Sequence, residues 1–340
     1  MNLYPLLDTL YHAPSSPAFE WQGWYVERVT GGRNNLLFHA TRNEQDLAVK
    51  FTRRDARDRA GREFNSLSVL STLGLAIAPL PVLLDRDRFP LPVIVQTWMK
   101  GESSSNPPAG PEEWKHLLDH LAVVHTIAPD YVHRPVAHAV MDFSSAREAA
   151  RYVLGEIDAM QDDHRPPELA ALAYRLEQAD LPDWPAPEIT LGRCDPYIAN
   201  FIRRPAAWAS VDWENSGWCD PAFEIGDLMT HPCYSTISED VWEMYVEAAA
   251  ECHPGDTNFV ERVRTYRKVV LVRWAGLFAR YCAASAARLA SADGMADPTN
   301  TVSSAAPNLS PLVELPEQWW QEVPGEYLRY LRLAEAAFPG

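Results

Sequence analysis

LGRCDPYIANFIRRPAAWASVDWENSGWCDP, residues 191–221, is the most informative stretch of this 340-residue chain. Two short apolar runs, FIR at 201–203 and WASV at 208–211, flank a turn at Arg204 to Ala207 and read as a β-hairpin. Its centre falls near residue 206, midway between Asn200 and Asp212. Regular antiparallel pairing therefore predicts those two side chains at neighbouring strand ends, about 5 Å apart at the backbone. Asp195 lies five residues before Asn200. The pattern sets oxygen donors at the mouth of a hairpin. Mg2+ suits such a set, because it takes few protein ligands and fills its shell with water and phosphate oxygens. Asp and Asn are also common turn residues, so the hairpin alone leaves a plain turn open.

The residues that precede this stretch narrow the choice. From Trp21 to Lys50 the aromatic and β-branched alternation, broken by a Gly-Gly turn, predicts antiparallel strands. Lys50 ends the apolar run LAVK in a chain with only four lysines among 30 basic residues. Residues 55–73 carry helical periodicity, and Ala56, Ala60, Glu63, Leu67 and Leu70 recur at intervals of 4, 3, 4 and 3. Glu63 therefore lies on the apolar stripe, where a carboxylate needs a cation, and Lys50 is the one on offer from the neighbouring strand. Pro79 and Pro81 stop the helix before two further strands at 81–84 and 93–98. Gly31 and Gly32, followed by Asn34 and Asn35, form either a simple hairpin turn or a loop whose amides approach phosphates.

Residues 102–110, ESSSNPPAG, read as a linker. Helices are expected beyond it, at 111–127, 143–160, 167–179, 239–252, 257–291 and 316–337. The expected organisation is an N-terminal extension (1–20), a small antiparallel sheet lobe with one helix (21–101), the linker, and a large helical lobe (111–340), an α+β fold. Hydrophobic residues make up 47% and charged residues 22%, which excludes a disordered chain. The net charge is −16, and it is uneven: residues 1–100 hold 12 basic and 10 acidic side chains, the rest 18 and 36. That balance argues against nucleic acid as a partner. The most apolar helical stretch, 269–291, is interrupted by Arg273, Arg280 and Arg288 on one face, so an amphipathic helix is expected there and no membrane span. The N-terminus lacks a basic start followed by an apolar run, and the five cysteines are odd in number without a C-x-x-C. Reduced thiols in a cytoplasmic protein follow as the expectation.

Taken in order, Gly31-Gly32, LAVK with Lys50, Glu63, VIVQTWMKGE (93–102), D-P-Y-I-A-N (195–200), V-D-W-E (211–214) and Asp220-Pro221 resemble the aminoglycoside phosphotransferase and choline kinase-like family. The match runs from about residue 21 to 231, and its specific part is D-x-x-x-x-N followed 12 residues later by Asp-Trp-Glu. The resemblance implies a two-lobed protein-kinase-like fold and ATP- and Mg2+-dependent transfer of a γ-phosphoryl group to a small-molecule hydroxyl. It implies that Asp195 is the catalytic carboxylate beside that hydroxyl, that Asn200 and Asp212 bind Mg2+, and that Lys50 contacts phosphates with Glu63 positioning it. The backbone from Gln96 through Trp98 to Met99 would meet the adenine, and the Gly31-Gly32 loop the phosphates. This chain reads Arg193-Cys194-Asp195 where the family usually reads His-Gly-Asp, so the loop must be braced differently, for instance by Arg193 on a carboxylate.

For the acceptor, the acidic C-terminal part would suit an aminoglycoside-like, aminosugar or amino-alcohol molecule, with a cationic or a neutral acceptor both open. Asp220 and Glu224, together with Trp319 and Trp320, are the candidate contacts. A nucleotide-binding pseudokinase acting as a regulator or scaffold is the alternative, and the departure at Arg193-Cys194 is what supports it. His231, Cys233, Cys252 and His253 match no zinc spacing, and no base stands near Cys194 in sequence to make it a nucleophile.

Overall fold

The computed structural model describes residues 2–12, 17–30, 35–161, 164–292 and 317–339; the side chains of 287–292 and 317–319 lie outside the description. Gly31 and Gly32 fall outside the described residues.

Strands β1 (Ala18–Trp21), β2 (Trp24–Val29), β3 (Asn35–Arg42), β4 (Gln45–Thr52), β5 (Pro81–Asp85) and β6 (Val93–Thr97) form one antiparallel sheet in the order β1-β2-β3-β4-β6-β5. Alternation divides its faces. Val26, Phe38, Val49, Phe51 and Val95 fill one face, and helix α1 (Tyr4–His12) packs there through Leu6, Leu7 and Leu10. That helix lies in the segment expected to be an extension. Its apolar residues at 6, 7 and 10 share one helical side, which is what buries it. The opposite face carries Lys50 with its cross-strand partner Ile94, and meets helix α2 (Arg59–Thr72) through Ala60, Leu67 and Leu70. A left-handed Gly74 closes α2: the Leu75 amide reaches the Leu70 carbonyl at 2.9 Å and the Gly74 amide that of Ser71 at 3.1 Å, which satisfies the last carbonyls.

Two small sheets follow. Strands β7 (Glu102–Ser103), β9 (Phe201–Arg203) and β10 (Ala209–Ser210) pair in the order β10-β9-β7, and β8 (Thr190–Gly192) pairs with β11 (Gly217–Cys219). At Gly217 a side chain would strike the Ala137 carbonyl oxygen at 2.3 Å, so only glycine permits this approach. The expected hairpin is present with its register shifted by one residue. Ile202 faces Ala209, and the Val211 amide donates to the Asn200 carbonyl at 2.9 Å, so Asn200 stands opposite Val211 and not Asp212. Asp212 leaves the ladder with a left-handed φ of 63°.

Among the described residues the chain divides into two compact units, one holding residues up to Met141 and Ile189–Cys219, the other Asp142–Glu188, 220–292 and 317–339. The expected linker at 102–110 lies inside the first unit and contributes β7. The first unit includes helix α3 (Pro111–His125). The second is built from α4 (Ala146–Asp158), α5 (Pro167–Gln178), α6 (Pro221–Leu228), α7 (Glu239–Glu251), α8 (Phe259–Ala292) and α9 (Glu317–Ala337). Each of these except α6 coincides with a helix that periodicity predicts. The signature of α6 was present, with Asp220 as cap and Pro221 in the first turn. Helix α8 is long and apolar enough over Phe259–Ala286 to cross a membrane, yet half of its most apolar window is buried. Arg273 and Arg280 both turn to Glu156 of α4, as their seven-residue spacing predicts for one face, and Arg273 Nε lies 2.9 Å from its carboxylate.

Candidate active site

Lys50 is the hub of the first unit. Its side chain leaves the inner face of β4, is 5% exposed, and donates from Nζ to Glu63 Oε2 at 2.8 Å and to Asp212 Oδ1. Glu214 Oε2 lies 3.3 Å away. Oxygens of Glu63, Asp212 and Glu214 all fall within 4.8 Å of one another, a density of negative charge that demands cations. Lys50 is one, and Arg59, which pairs with Glu214 and with Asp55 at 3.0 Å, is the other. Burial alone would pull the Lys50 ammonium down, but Asp212, Glu63 and Glu214 outweigh it and hold the group well above the usual lysine value, charged at neutral pH.

Glu214 and Arg59 received no role from the sequence. Glu214 also accepts from Asn35 Nδ2 at 2.8 Å, so it ties the start of β3, helix α2 and the Asp212 loop together. Its signal was the spacing in V-D-W-E, where Trp213 is fully buried between two carboxylates.

Asp195 sits on the loop after β8. Its Oδ2 accepts from Asn200 Nδ2 at 3.3 Å and from Asn215 Nδ2 at 3.5 Å, and its Oδ1 accepts from the Tyr197 amide at 3.2 Å. Burial pushes its carboxyl above the ordinary aspartate value, against the lowering effects of Arg193 and the Tyr197 amide. The loop is braced by Arg193, which is fully buried, stacks 4.8 Å over the Phe201 ring, and donates to the carbonyls of Asp195 and Val211, the latter at 3.1 Å. Arg193 thus binds backbone on both sides of the site, where sequence reasoning had offered it a carboxylate. Cys194 and Asp212 both hold left-handed backbone, φ 53° and 63°. Such conformations cost about 1–3 kcal/mol each and persist where surroundings enforce them.

The remaining expected residues divide. Gln96 is 4% exposed on β6, opposite Ala48 and so on the Lys50 face. The Trp98 ring stacks on His39 at 4.0 Å, its amide donates to the Asp46 carbonyl at 2.8 Å, and Met99 Sδ lies 3.7 Å from Arg204. Asn200 ends a short 3-10 turn, Ile198–Asn200, that leads into β9. Asp220, expected to touch an acceptor, is instead fully buried and structural. Its oxygens take the Ala222 amide at 2.9 Å and Arg262 Nε and Nη2 at 2.8 and 2.9 Å. Glu224 and Trp320 are also buried, at 6% and 7% exposure, which leaves little surface for an acceptor. The side chain of Trp319 lies outside the described residues.

A model of the phosphotransferase enzyme family matches residues 26–259. The chain belongs to that family. The kinase-like phosphotransferases also share its fold among solved structures. Choline kinase from Cryptosporidium parvum Iowa II aligns with TM-score 0.60 at 9% identity, covering 99% of this chain and 98% of that one. Amicoumacin kinase in complex with AMP-PNP, Ca2+ and Ami gives 0.59 at 13% identity, covering 99% and 95%. Spectinomycin phosphotransferase in complex with ADP and spectinomycin gives 0.54 at 12% identity, covering 99% and 98%. No curated protein matches the chain. The fold is therefore protein-kinase-like, and the chain is a member of the phosphotransferase enzyme family.

Proposed function

We propose that the chain transfers the γ-phosphoryl group of ATP to a hydroxyl of an aminoglycoside-like, aminosugar or amino-alcohol acceptor, with Mg2+ as cofactor. The observation that carries this reading is the meeting of Lys50, clamped by Glu63, with Asp212, in the unit where Asp195 and Asn200 share a hydrogen bond. Asn200 turns its Nδ2 to Asp195, which leaves its Oδ1 as the ligand atom for a cation, and Asp212 is engaged through one carboxylate oxygen with its side chain 31% exposed. Hard oxygen donors of this kind fit Mg2+. Glu63 and Glu214 do not compete for the ion, because their side chains are 0% and 3% exposed whereas that of Asp212 is 31% exposed.

Phosphoryl transfer asks a protein for position and charge more than for covalent chemistry. Lys50, held protonated, neutralises phosphate oxygens, and Glu63 fixes where its ammonium points. A divalent ion held by Asn200 and Asp212 would offset charge on the β- and γ-phosphates. Asp195 orients the acceptor hydroxyl and takes its proton, a role that its raised pKa favours. Arg193 keeps the Asp195 and Asp212 loops in fixed relation through their backbone. The acceptor class rests on the acidic balance of residues 101–340, 36 acidic against 18 basic, which attracts cations. A cytoplasmic location is consistent with five cysteines outside any disulfide.

The test measures ADP release across aminoglycosides, aminosugars, choline and homoserine, with Asp195→Ala as control. ATP with Mg2+ should raise Tm, by the equivalent of about 2.7 kcal/mol at a hundredfold excess over Kd, and Asp212→Ala should abolish that response. Nucleotide binding without any Asp195-dependent turnover would favour the pseudokinase alternative.

A further inference from the structure

The residue that sets this catalytic loop apart from the usual glycine is Cys194, and its sulfur lies 3.3 Å from that of Cys219. The two thiols form a small buried cluster with Ala139. Cys194 is 4% exposed and Cys219 not at all. Cys194 immediately precedes Asp195, and its left-handed φ of 53° directs its side chain toward the last residue of β11. Cys219 is anchored there by its pairing with Thr190 across the β8 ladder. A disulfide requires sulfurs about 2.05 Å apart, so an approach of about 1.3 Å would close this pair. Arg62 supplies the third feature. Helix α2 sends its guanidinium to the carbonyls of His138 and Ser216, the latter at 2.8 Å; burial lowers the Arg62 guanidinium, and attraction to Cys194 opposes that lowering. Positive charge beside a thiol favours the reactive thiolate.

We propose that Cys194 and Cys219 form a redox-modification site in which hydrogen peroxide links the two sulfurs and, by drawing Cys194 toward β11, displaces Asp195 and switches phosphoryl transfer off. Cys194, with the smaller burial and the cation nearby, is the attacking thiol. Its thiolate takes one peroxide oxygen as the O–O bond breaks, giving a sulfenic acid while the other oxygen leaves as water after protonation. The Cys219 sulfur then attacks the sulfenic sulfur, the S–S bond forms, the S–O bond breaks, and the hydroxyl departs as water with the Cys219 proton. Two electrons pass from the sulfurs to the peroxide, and a dithiol reductant reverses the change by thiol–disulfide exchange. The mechanical consequence lies in Arg193, whose bonds to the Asp195 and Val211 carbonyls were made for the reduced loop.

The effect on activity rests on the role proposed for Asp195, whereas the chemistry of the pair does not, so the experiment reads them separately. The full chain is treated with stoichiometric hydrogen peroxide, and peptides are mapped without reduction. A 194–219 linked peptide with loss of two titratable thiols is expected, together with at least a tenfold fall in acceptor-dependent ADP release that dithiothreitol restores. Phenylarsine oxide, which bridges neighbouring thiols, should bind at this pair, and Cys219→Ala and Cys219→Ser should each abolish the bridge while untreated activity persists. Thiols left intact, Cys194 carried to sulfinic acid, or a link between other cysteines overturns the site. A 194–219 link with full activity overturns the switch. An untreated chain with no acceptor-dependent turnover sinks the kinase reading, and the linked peptide still decides the site.

Discussion

Two buried ionic clusters in this molecule use the same chemistry to different ends. In the second unit Arg262 grips Asp220 through Nε and Nη2 at 2.8 and 2.9 Å, and Asp256 through Nη1 and Nη2 at 2.7 and 2.6 Å. Asp220 also caps α6, and its backbone is ordinary, φ −69°. In the first unit Lys50 is surrounded by Glu63, Asp212 and Glu214, but Asp212 engages through one oxygen, stays 31% exposed and sits on left-handed backbone. Burial does not separate the two, since Arg262 and Lys50 are 2% and 5% exposed. Saturation does. The Arg262 cluster has both oxygens of each carboxylate bonded, while the Lys50 cluster keeps one Asp212 oxygen outside its bond to Lys50, on left-handed backbone, as the phosphate and metal site proposed above would need.

The sharpest break in that comparison is between losing chemistry and losing the fold. Asp195→Asn should cut acceptor-dependent ADP release about 10²–10⁴-fold, because a positioned base contributes that much, and should lower Tm only slightly, because its one amide oxygen still accepts from the Tyr197 amide and only the long contacts from Asn200 and Asn215 are lost. Arg262→Leu should do the reverse. Leaving Asp220 buried without its cation costs about 3–5 kcal/mol, so calorimetry should find Tm lowered by about 10 °C while the folded enzyme keeps its turnover. If both variants lost stability and retained kcat, the distinction between an open and a closed cluster would fail.

A subtler probe uses Glu63→Gln, which keeps an acceptor for Lys50 and removes one of three crowded negative charges. Steady-state kinetics should show kcat/KM for ATP reduced about tenfold, the cost of one charge-assisted hydrogen bond becoming neutral. Thermal stability should hold or rise slightly, because carboxylates within 4.8 Å repel each other.

The sequence made the Lys50 cluster legible and the Arg262 cluster opaque, for a physical reason. Lys50 and Glu63 are 13 residues apart on consecutive elements whose periodicities place both inward, so local patterning already implies their meeting. Asp220 and Arg262 are separated by 42 residues with no pattern linking them, and a carboxylate in an acidic segment then reads as a ligand group when it is a cap and a buried pair. Strands β2 to β6 and most helices followed from alternation and periodicity, while α1 and most of β1 fell in the segment expected as an extension, β7 in the expected linker, and α6 inside a stretch dominated by the hairpin motif. The hairpin itself was found one residue out of register, because no side-chain pattern announces that Asp212 will leave the ladder at positive φ. Glu214 stayed hidden because its partners, Asn35 and Arg59, come from elements 155 residues and more away.

The smallest expected effect lies inside the closed cluster, between the two carboxylates that share Arg262. Asp220 is sealed, whereas the Asp256 side chain is 28% exposed, so water already screens part of its attraction. Asp256→Asn should therefore cost about 1 kcal/mol at pH 7, well below the cost of removing Arg262. Burial pushes the Asp256 carboxyl up, but Arg262 outweighs it by hydrogen bonding and charge, leaving it below the ordinary aspartate value. An acid whose folded pKa is depressed contributes stability that is fully present above its unfolded value, about 3.9, and is lost as pH falls through the folded value. Thermal melts of the wild type and Asp256→Asn should thus differ at neutral pH and converge as pH drops below about 4. A constant difference across that range would mean that packing, and not the charge on Asp256, holds this edge of the cluster.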